Sequence, residues 1–407
     1  MIVAGEASGD KHGGSLARTL HELNPGIPIQ IFGSGGDEMR AAGVDTLVDA
    51  RDMAIMGIPE VASAFGRFYE AYRTLVSEAV TRKPDAAILI DWPDFNLRLA
   101  RRLHHYGIKV IYYISPQVWA WRQYRIGAIK RYVDRMLVIL PFEREFYRRF
   151  GIDAEYVGHP LAETVRVTAT REEFAARHGL DPARLIISLL PGSRGKEIHY
   201  HVPPMLEAAG ILSKSSFEWV DSVRSTTADR HPLRVGNSGE TAAIADAQRP
   251  QFVIPLASTI GREQVQPLIA DHQCNVRVIE RDTYNAVGHS AFAVVASGTA
   301  TIETAILGTP MVIVYKGSEL NWRLIRPLIH LDTFGMANLI AGRKIVPELI
   351  QHDLTGPAIA HATLSVVSDP ERLCTIREQL AEVRRQLKSE FAGYEQAARA
   401  VMRVIQG

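Results

Sequence analysis

The chain has 407 residues, 46% of them hydrophobic, and a formal charge of +1 from 46 Lys and Arg against 45 Asp and Glu. Such a length fits two domains with sizeable cores, and the near-neutral balance argues against a nucleic-acid binder held by charge, though not against a local basic patch. The two cysteines, Cys274 and Cys374, are far apart and lack metal-ligand spacing, so neither a disulfide framework nor a zinc site is expected, and a reducing cytoplasm fits.

We read no secretory signal and no apolar stretch long enough to span a bilayer. The first half alternates apolar runs with helical patterns. Strands are expected at Ile2–Ala4, Ile29–Phe32, Ala86–Ile90, Val110–Ile114, Arg135–Leu140 and Glu155–Val157. Helices should fill much of 12–23, 60–82, 94–106, 120–131 and 143–150. This alternation predicts an α/β, doubly wound parallel sheet. The first strand, of about four residues, is at the short end for a strand; either the native start lies upstream or this strand is unusually short.

GEASGDKHGG, residues 5–14, follows that strand and should open a helix. Gly5, Ser8 and Gly9 let a ligand approach the backbone closely, and free N–H groups there favour an anion. Glu6 and Asp10 would not welcome a pyrophosphate; they suit sugar hydroxyls or a transferred proton. A plainer reading makes Asp10 an ordinary first-turn helix acid.

Residues 53–75 carry more apolar surface than a cap needs. Ile55, Met56 and Ile58 precede a helix with Val61, Phe65, Phe68, Tyr69 and Tyr72, and Arg67 and Arg73 lie beside it. A basic, aromatic amphipathic helix can lie in a bilayer interface; simple core packing explains the pattern equally well.

ILIDWPDFNLRLA, residues 88–100, is the most informative stretch. An apolar strand ends in Asp91, and Trp92-Pro93-Asp94 then forces a turn. Ligands of open parallel sheets bind at the carboxyl ends of strands, where a carboxylate is placed to act as a general base. The alternative is that Asp91 or Asp94 only caps the next helix. SPQVWAWRQYR then packs Trp119, Trp121, Arg122 and Arg125 into a strand-to-helix junction. Arg122 is the phosphate candidate, because guanidinium matches phosphate bidentately. Ser115 and Gln117 lie at the strand end, within reach of a sugar, and the tryptophans suit a sugar site or a packing interface. His159, a single histidine near the linker Gly158–Thr168, reads as a hinge or core hydrogen bond.

The second half repeats the alternation, with strands at Leu185–Leu190, Phe252–Pro255, Val276–Ile279, Ala291–Val295 and Met311–Tyr315. Two such sheets in tandem imply a cleft, the usual place for a ligand. In LLPGSRGKEI, Gly192, Ser193 and Arg194 present backbone N–H groups and one cation to a diphosphate, without the spacing of a Walker A motif. SGTATIET repeats this logic: Ser297, Gly298 and Thr299 would face phosphate, Glu303 would accept ribose hydroxyls, and Asn338 pairs with a base or ribose or acts as a cap. Between these units, 213–250 is polar with little periodicity and reads as a disordered surface loop or an added contact. The amphipathic, charged run Pro370–Val404 reads as helix. No His/Asp/Glu cluster suggests a metal site.

GEASGDKHGG, YISPQVWAWRQYR, LPFEREFY, YVGHPL, LLPGSRGKEI and SGTATIETAILGTPMVIVYK occur in this order. Together, and over nearly the whole chain except about 212–250, they resemble the lipid-A-disaccharide synthases. The resemblance implies a GT-B architecture, two Rossmann-like domains facing across a cleft with a C-terminal helical tail. Residues 1–163 would bind the acceptor and face the membrane. Residues 164–369 would bind the UDP-sugar and carry the 213–250 insertion, and 370–407 would pack back on the N-terminal domain. The implied reaction is inverting hexosyl transfer from UDP-2,3-diacylglucosamine to 2,3-diacylglucosamine 1-phosphate. It gives the β-1,6-linked disaccharide 1-phosphate and UDP, with no cofactor and no metal. The resemblance further implies acceptor roles for Glu6, Ser8 and Asp10, UDP contact by Arg194 and its loop, acyl-chain and membrane contact by 53–75, a homodimer, and a cytoplasmic enzyme peripheral on the inner face of the membrane. The rival readings are a UDP-N-acetylglucosamine isomerase or hydrolase on the same fold, and a non-catalytic nucleotide-sugar binder.

Overall fold

The computed structural model of the chain describes residues 1–53, 61–214, 216–218, 234–236, 249–270, 272, 275–319, 322–323, 326 and 333–406, with backbone alone at 52, 61–65, 216–218 and 234–236. Two compact units result. One joins Met1–Ala162 to Leu387–Gly407; the other holds Glu163–Pro327 and Leu331–Gln386.

In the first unit seven strands run parallel: β1 Ile2–Val3, β2 Phe32–Gly35, β3 Asp45–Asp49, β4 Ala86–Ile90, β5 Lys109–Tyr113, β6 Arg135–Val138 and β7 Ala154–Tyr156. Their order is β3-β2-β1-β4-β5-β6-β7. The central strands are apolar on both faces, as a covered parallel sheet requires. Leu89, Val110 and Tyr112 face a cluster with Ala71, Leu75 and Leu99 from helices Val61–Arg82 and Pro93–His105. Ile88, Ile90 and Ile111 face the opposite cluster, with Leu16 and Leu20 of helix Ala7–Leu23 and Ala397 and Val401 of helix Gly393–Gln406. Each fully buried side chain of this size contributes about 1.5–3 kcal/mol relative to exposure.

The second unit has a six-stranded parallel sheet, order β12-β11-β8-β13-β14-β15, built from β8 Ile186–Leu190, β11 Gln251–Leu256, β12 Val276–Glu280, β13 Phe292–Ala296, β14 Met311–Tyr315 and β15 Glu348–Ile350.

Four details differ from the expectations. Strand β2 lies three residues later than Ile29–Phe32. Its sequence FGSG hides it, because glycine is poor in strands, yet Gly33 is needed: a Cβ there would meet the Ile2 carbonyl oxygen at 1.8 Å. The short edge strands β3 and β15, neither fully buried, carry no apolar run to announce them. Within the 213–250 insertion, β9 Ser216–Glu218 and β10 Arg234–Gly236 pair antiparallel, so the described residues there are not a structureless loop. Finally, the tail 370–407 is not one element on the first unit. Helix Pro370–Gln386 belongs to the second unit, and only Gly393–Gln406 packs on Ala7–Leu23 in the first.

Both sheets reverse their winding once. In the first, the chain moves outward from β1 through β2 and β3, then returns to start β4 beside β1. In the second it moves from β8 through β11 and β12, then starts β13 beside β8. Ligands of open α/β sheets bind outside the carboxyl ends of strands at such switch points. The first is flanked by Gly5-Glu6 and Asp91-Trp92, the second by Pro191–Arg194 and Ser297–Thr299.

Candidate active site

Asp91 leaves β4 with φ 45° and Trp92 follows with φ 48°. Two consecutive left-handed residues that are not glycine are costly, and such strain persists only where surroundings over-determine it. Here the clamp is visible. The Tyr112 hydroxyl donates to the Asp91 carbonyl at 2.6 Å, and Asn96 Nδ2 donates to the carbonyls of Ile90 and Asp91 at 3.1 and 2.8 Å. Trp92 stacks on Phe95, ring centroids 3.9 Å apart and nearly parallel, with Phe68 tilted at 5.8 Å. The Asp91 carboxyl is thereby turned into a pocket of about 1310 Å³ lined by Glu6, Phe68, Tyr69, Tyr72, Asp94, Phe95, Arg98 and further basic residues. Desolvation pushes its pKa up to about 6; the nearby Glu6 charge adds to this, and a Trp92 backbone hydrogen bond opposes it. A carboxylate with that pKa is ionised at neutral pH yet basic enough to take a proton.

The other residues expected around the acceptor fare differently. Glu6 lines the pocket, and Glu6 and Ser8 are exposed. Asp10 does not serve this pocket. It is buried and accepts the backbone N–H groups of Gly36, Glu38 and Met39 at 2.6, 3.1 and 3.0 Å, which caps the helix Asp37–Ala41. Those free amides offer a carboxylate its full hydrogen-bonding complement. Gln117 is exposed. Ser115 instead faces the core, bonded to the Tyr147 hydroxyl at 2.7 Å. Arg122 lies over the Trp121 ring at 4.2 Å and reaches Asp94 at 3.3 Å, and the buried Arg125 also pairs with Asp94. Trp119 is a packing residue whose indole N–H donates to the buried Glu143 at 3.1 Å. Burial pushes the Glu143 carboxyl up to about 7 despite hydrogen bonds from Leu140, Trp119 and Ser115. His159 is buried, accepts the Leu161 N–H at Nδ1, and burial pushes its pKa down to about 3, consistent with a core hydrogen bond. Ile55, Met56 and Ile58 lie outside the described residues, as do the side chains of Val61 and Phe65. Phe68 is half-buried against the core cluster of the first unit.

In the second unit, Gly192 has φ 119° and Glu197 folds back over it; a Cβ at Gly192 would meet Glu197 Oε2 at 2.2 Å. Glu197 Oε2 accepts the N–H groups of Ser193 and Arg194 at 2.8 and 3.3 Å. A carboxylate thus occupies this amide cradle, and any diphosphate taking the same donors displaces it. The Arg194 side chain is exposed. Gly298 and Thr299 are also exposed, at the N-terminus of helix Thr299–Leu307, while the Ser297 hydroxyl is committed to the Phe334 carbonyl at 2.9 Å. Glu303 accepts from the Tyr284 hydroxyl at 3.1 Å. Asn338 is not available to a base or ribose. It is fully buried, donates to Val346 and Glu348, and accepts from Ile345 and Val346.

One residue at this switch point has no motif to mark it. His201 Nε2 accepts the Lys316 N–H at 2.9 Å, so its proton sits on Nδ1 and is donated to the Pro191 carbonyl at 2.7 Å. The neutral ring, its pKa lowered by burial, pins the end of β8 to the end of β14.

A family model described as lipid-A-disaccharide synthetase matches residues 1–238 and 239–404. A lipid-A-disaccharide synthase of Koribacter versatilis is 42% identical over 410 residues, covering 100% of this chain and 98% of that protein. Among solved structures, a UDP-GlcNAc 2-epimerase of Neisseria meningitidis bound to UDP-GlcNAc aligns with a TM-score of 0.57 at 12% identity, covering 100% of this chain and 98% of its own. The calicheamicin glycosyltransferase CalG4 aligns at 0.56 and 12%, covering 100% and 97%. At such identities the structural likeness concerns the fold alone: two Rossmann-like domains of the GT-B kind.

Proposed function

The chain belongs to the lipid-A-disaccharide synthase family, a family of glycosyltransferases, and from that premise we propose that it joins UDP-2,3-diacylglucosamine to 2,3-diacylglucosamine 1-phosphate, with Asp91 as the general base. The observation that carries this reading is the Asp91 carboxyl, held in a strained, clamped turn at a switch point, with a pKa near 6 and a partly aromatic pocket before it.

The chemistry is one in-line displacement. Asp91 takes the proton of the acceptor's 6-hydroxyl as that oxygen attacks the anomeric carbon of the donor. The bond from that carbon to UDP breaks, and negative charge grows on the leaving diphosphate. Arg194 and the amides of the Gly192 and Gly298 loops stabilise it in the manner of an oxyanion hole. A single displacement inverts the centre, so an α-linked donor gives a β-1,6 disaccharide. Glu6 and Ser8 contact the acceptor, and Gln117 and Arg122 support them. Glu303 takes the ribose. The aromatic surface beginning at Phe68 receives the acyl chains, at the inner face of the cytoplasmic membrane. No helix among the described residues is long and apolar enough to cross a membrane, so this contact is peripheral.

The test is thin-layer chromatography of the purified protein with both diacylated substrates. A disaccharide 1-phosphate with one UDP released per turnover supports the reading. Turnover of UDP-N-acetylglucosamine with no disaccharide would point instead to an isomerase or hydrolase on this fold, and tight UDP binding without turnover to a binder.

A further inference from the structure

The pocket in front of Asp91 is much larger than one hexose requires, and the chemistry above uses only one end of it. Its acids, Glu6, Asp91 and Asp94, lie at the strand end and the start of the next helix; its arginines, Arg98, Arg101, Arg102 and Arg131, and the imidazole of His105 lie further along the chain. Arg98, Arg101, Arg102 and His105 follow the i, i+3, i+4, i+7 spacing on helix Pro93–His105 and so share one face. Phe68, Tyr69 and Tyr72 line the same pocket.

Several arginines elsewhere in this unit are held by carboxylates. Arg40 pairs with Asp37 and Asp49, Arg82 with Asp45 and Glu78, and Arg135 with Asp153 and Glu155. Arg102 is tied to Tyr106, which accepts its hydrogen bond at 2.8 Å. Arg98 and Arg101 have no hydrogen-bond or ion-pair partner among the described residues. Arg98 stands five residues into its helix, about 7.5 Å along the axis from Pro93. Helical side chains lean towards the N-terminus, which carries its guanidinium back towards Asp91. The pocket therefore combines two arginines without a protein partner among the described residues, Arg98 and Arg101, with the aromatic side chains Phe68, Tyr69 and Tyr72 and the Asp91 carboxyl.

We propose that Arg98 and Arg101 bind the anomeric phosphate of the acceptor sugar, fixing the ring so that its 6-hydroxyl meets Asp91 while its acyl chains lie on the Phe68–Tyr72 wall. This rests on the acceptor assigned above. The groove would then select a phosphorylated acceptor over the same sugar without phosphate.

The experiment uses the full chain in neutral detergent micelles at fixed donor, with 2,3-diacylglucosamine 1-phosphate and its dephosphorylated analogue as acceptors. Wild type should prefer the phosphorylated acceptor. Arg98→Gln should raise its KM about tenfold or more, the usual consequence of losing a charged hydrogen bond, while the KM of the analogue changes far less. Arg98→Lys should recover part of the preference, and Arg101→Gln should show the same selective effect. Equal KM changes for both acceptors, or none, would overturn the proposal. So would unchanged kinetics in micelles with weakened sedimentation on phosphatidylglycerol vesicles, which would assign the stripe to the lipid surface. If wild type uses neither acceptor, the function itself fails, and the failure is seen before any variant is made.

Discussion

Gly5 and Trp92, at the ends of neighbouring strands β1 and β4, pack so closely that a Cβ added at Gly5 would stand 2.1 Å from the Trp92 ring. The glycine is there because the indole needs its place. The indole in turn closes the left-handed turn that presents Asp91, and it stacks on Phe95.

Gly5→Ala should therefore push Trp92 off Phe95 and loosen the Asp91 turn. Overpacking of this sort costs about 1–3 kcal/mol. Thermal denaturation should show the loss, and turnover should fall more than UDP affinity. A variant with native stability and native turnover would show that the turn tolerates a displaced indole.

The pH dependence follows from the raised Asp91 pKa. In the proposed role of general base Asp91 has to be ionised, so kcat/KM should fall as pH drops through about 6, the value to which its carboxyl is pushed. Glu6→Gln removes a like charge, the second cause of that shift, and should move the acid limb to lower pH. For stability the sign is opposite. A carboxyl with a raised folded pKa stabilises the fold most fully when protonated, below its ordinary value of 3.8, and this contribution is lost as pH rises towards 6. An acid limb that stays in place in Glu6→Gln would remove Glu6 from the electrostatics of the site.

His201→Phe removes the donor to Pro191 and the acceptor for Lys316. Leaving such buried backbone groups unpaired costs about 1–3 kcal/mol each. UDP should bind more weakly by calorimetry, because the Gly192–Arg194 loop loses its tether, while the first unit's pocket is untouched. Native UDP affinity in a folded variant would place the diphosphate away from this loop.

For membrane contact, the useful residue is Tyr69. Phe68 packs against Trp92 and Phe95, so Phe68→Ser would cost stability and confuse the result, whereas Tyr69 is 58% exposed at the pocket edge. Tyr69→Ser should lower sedimentation with lipid vesicles and raise KM for acylated substrates, with melting temperature and UDP affinity preserved. Vesicle binding equal to wild type would put the lipid-facing surface elsewhere.

The alternating units, the parallel sheets and the two switch-point loops were legible because buried parallel strands leave long apolar runs, and β4, β8, β13 and β14 are such runs. Strands β2, β3 and β15 were not, since FGSG, DTLVD and ELI depend on neighbours for their pairing. That Asp91 ends β4 at a pocket was legible because a carboxylate closing an apolar strand is conspicuous. Asp10 and Asn338 misled for a related reason: a polar residue in a glycine-rich or turn segment looks available until its partners are seen, and Asp10 is spent on backbone N–H groups, Asn338 on backbone groups and the Glu348 carboxylate. Tyr112, Asn96 and His201 left no local signal, because each acts on carbonyls or amides that only the fold brings near.

The most direct test of the account is turnover by Asp91→Asn with both lipid substrates at pH 7.5. Loss of a general base typically costs about 100- to 10,000-fold in rate. The account predicts that loss, with UDP affinity unchanged and a melting temperature at or above that of wild type, since a neutral amide replaces a carboxylate whose ionisation the fold disfavours. A folded Asp91→Asn enzyme retaining more than half of wild-type kcat would contradict it.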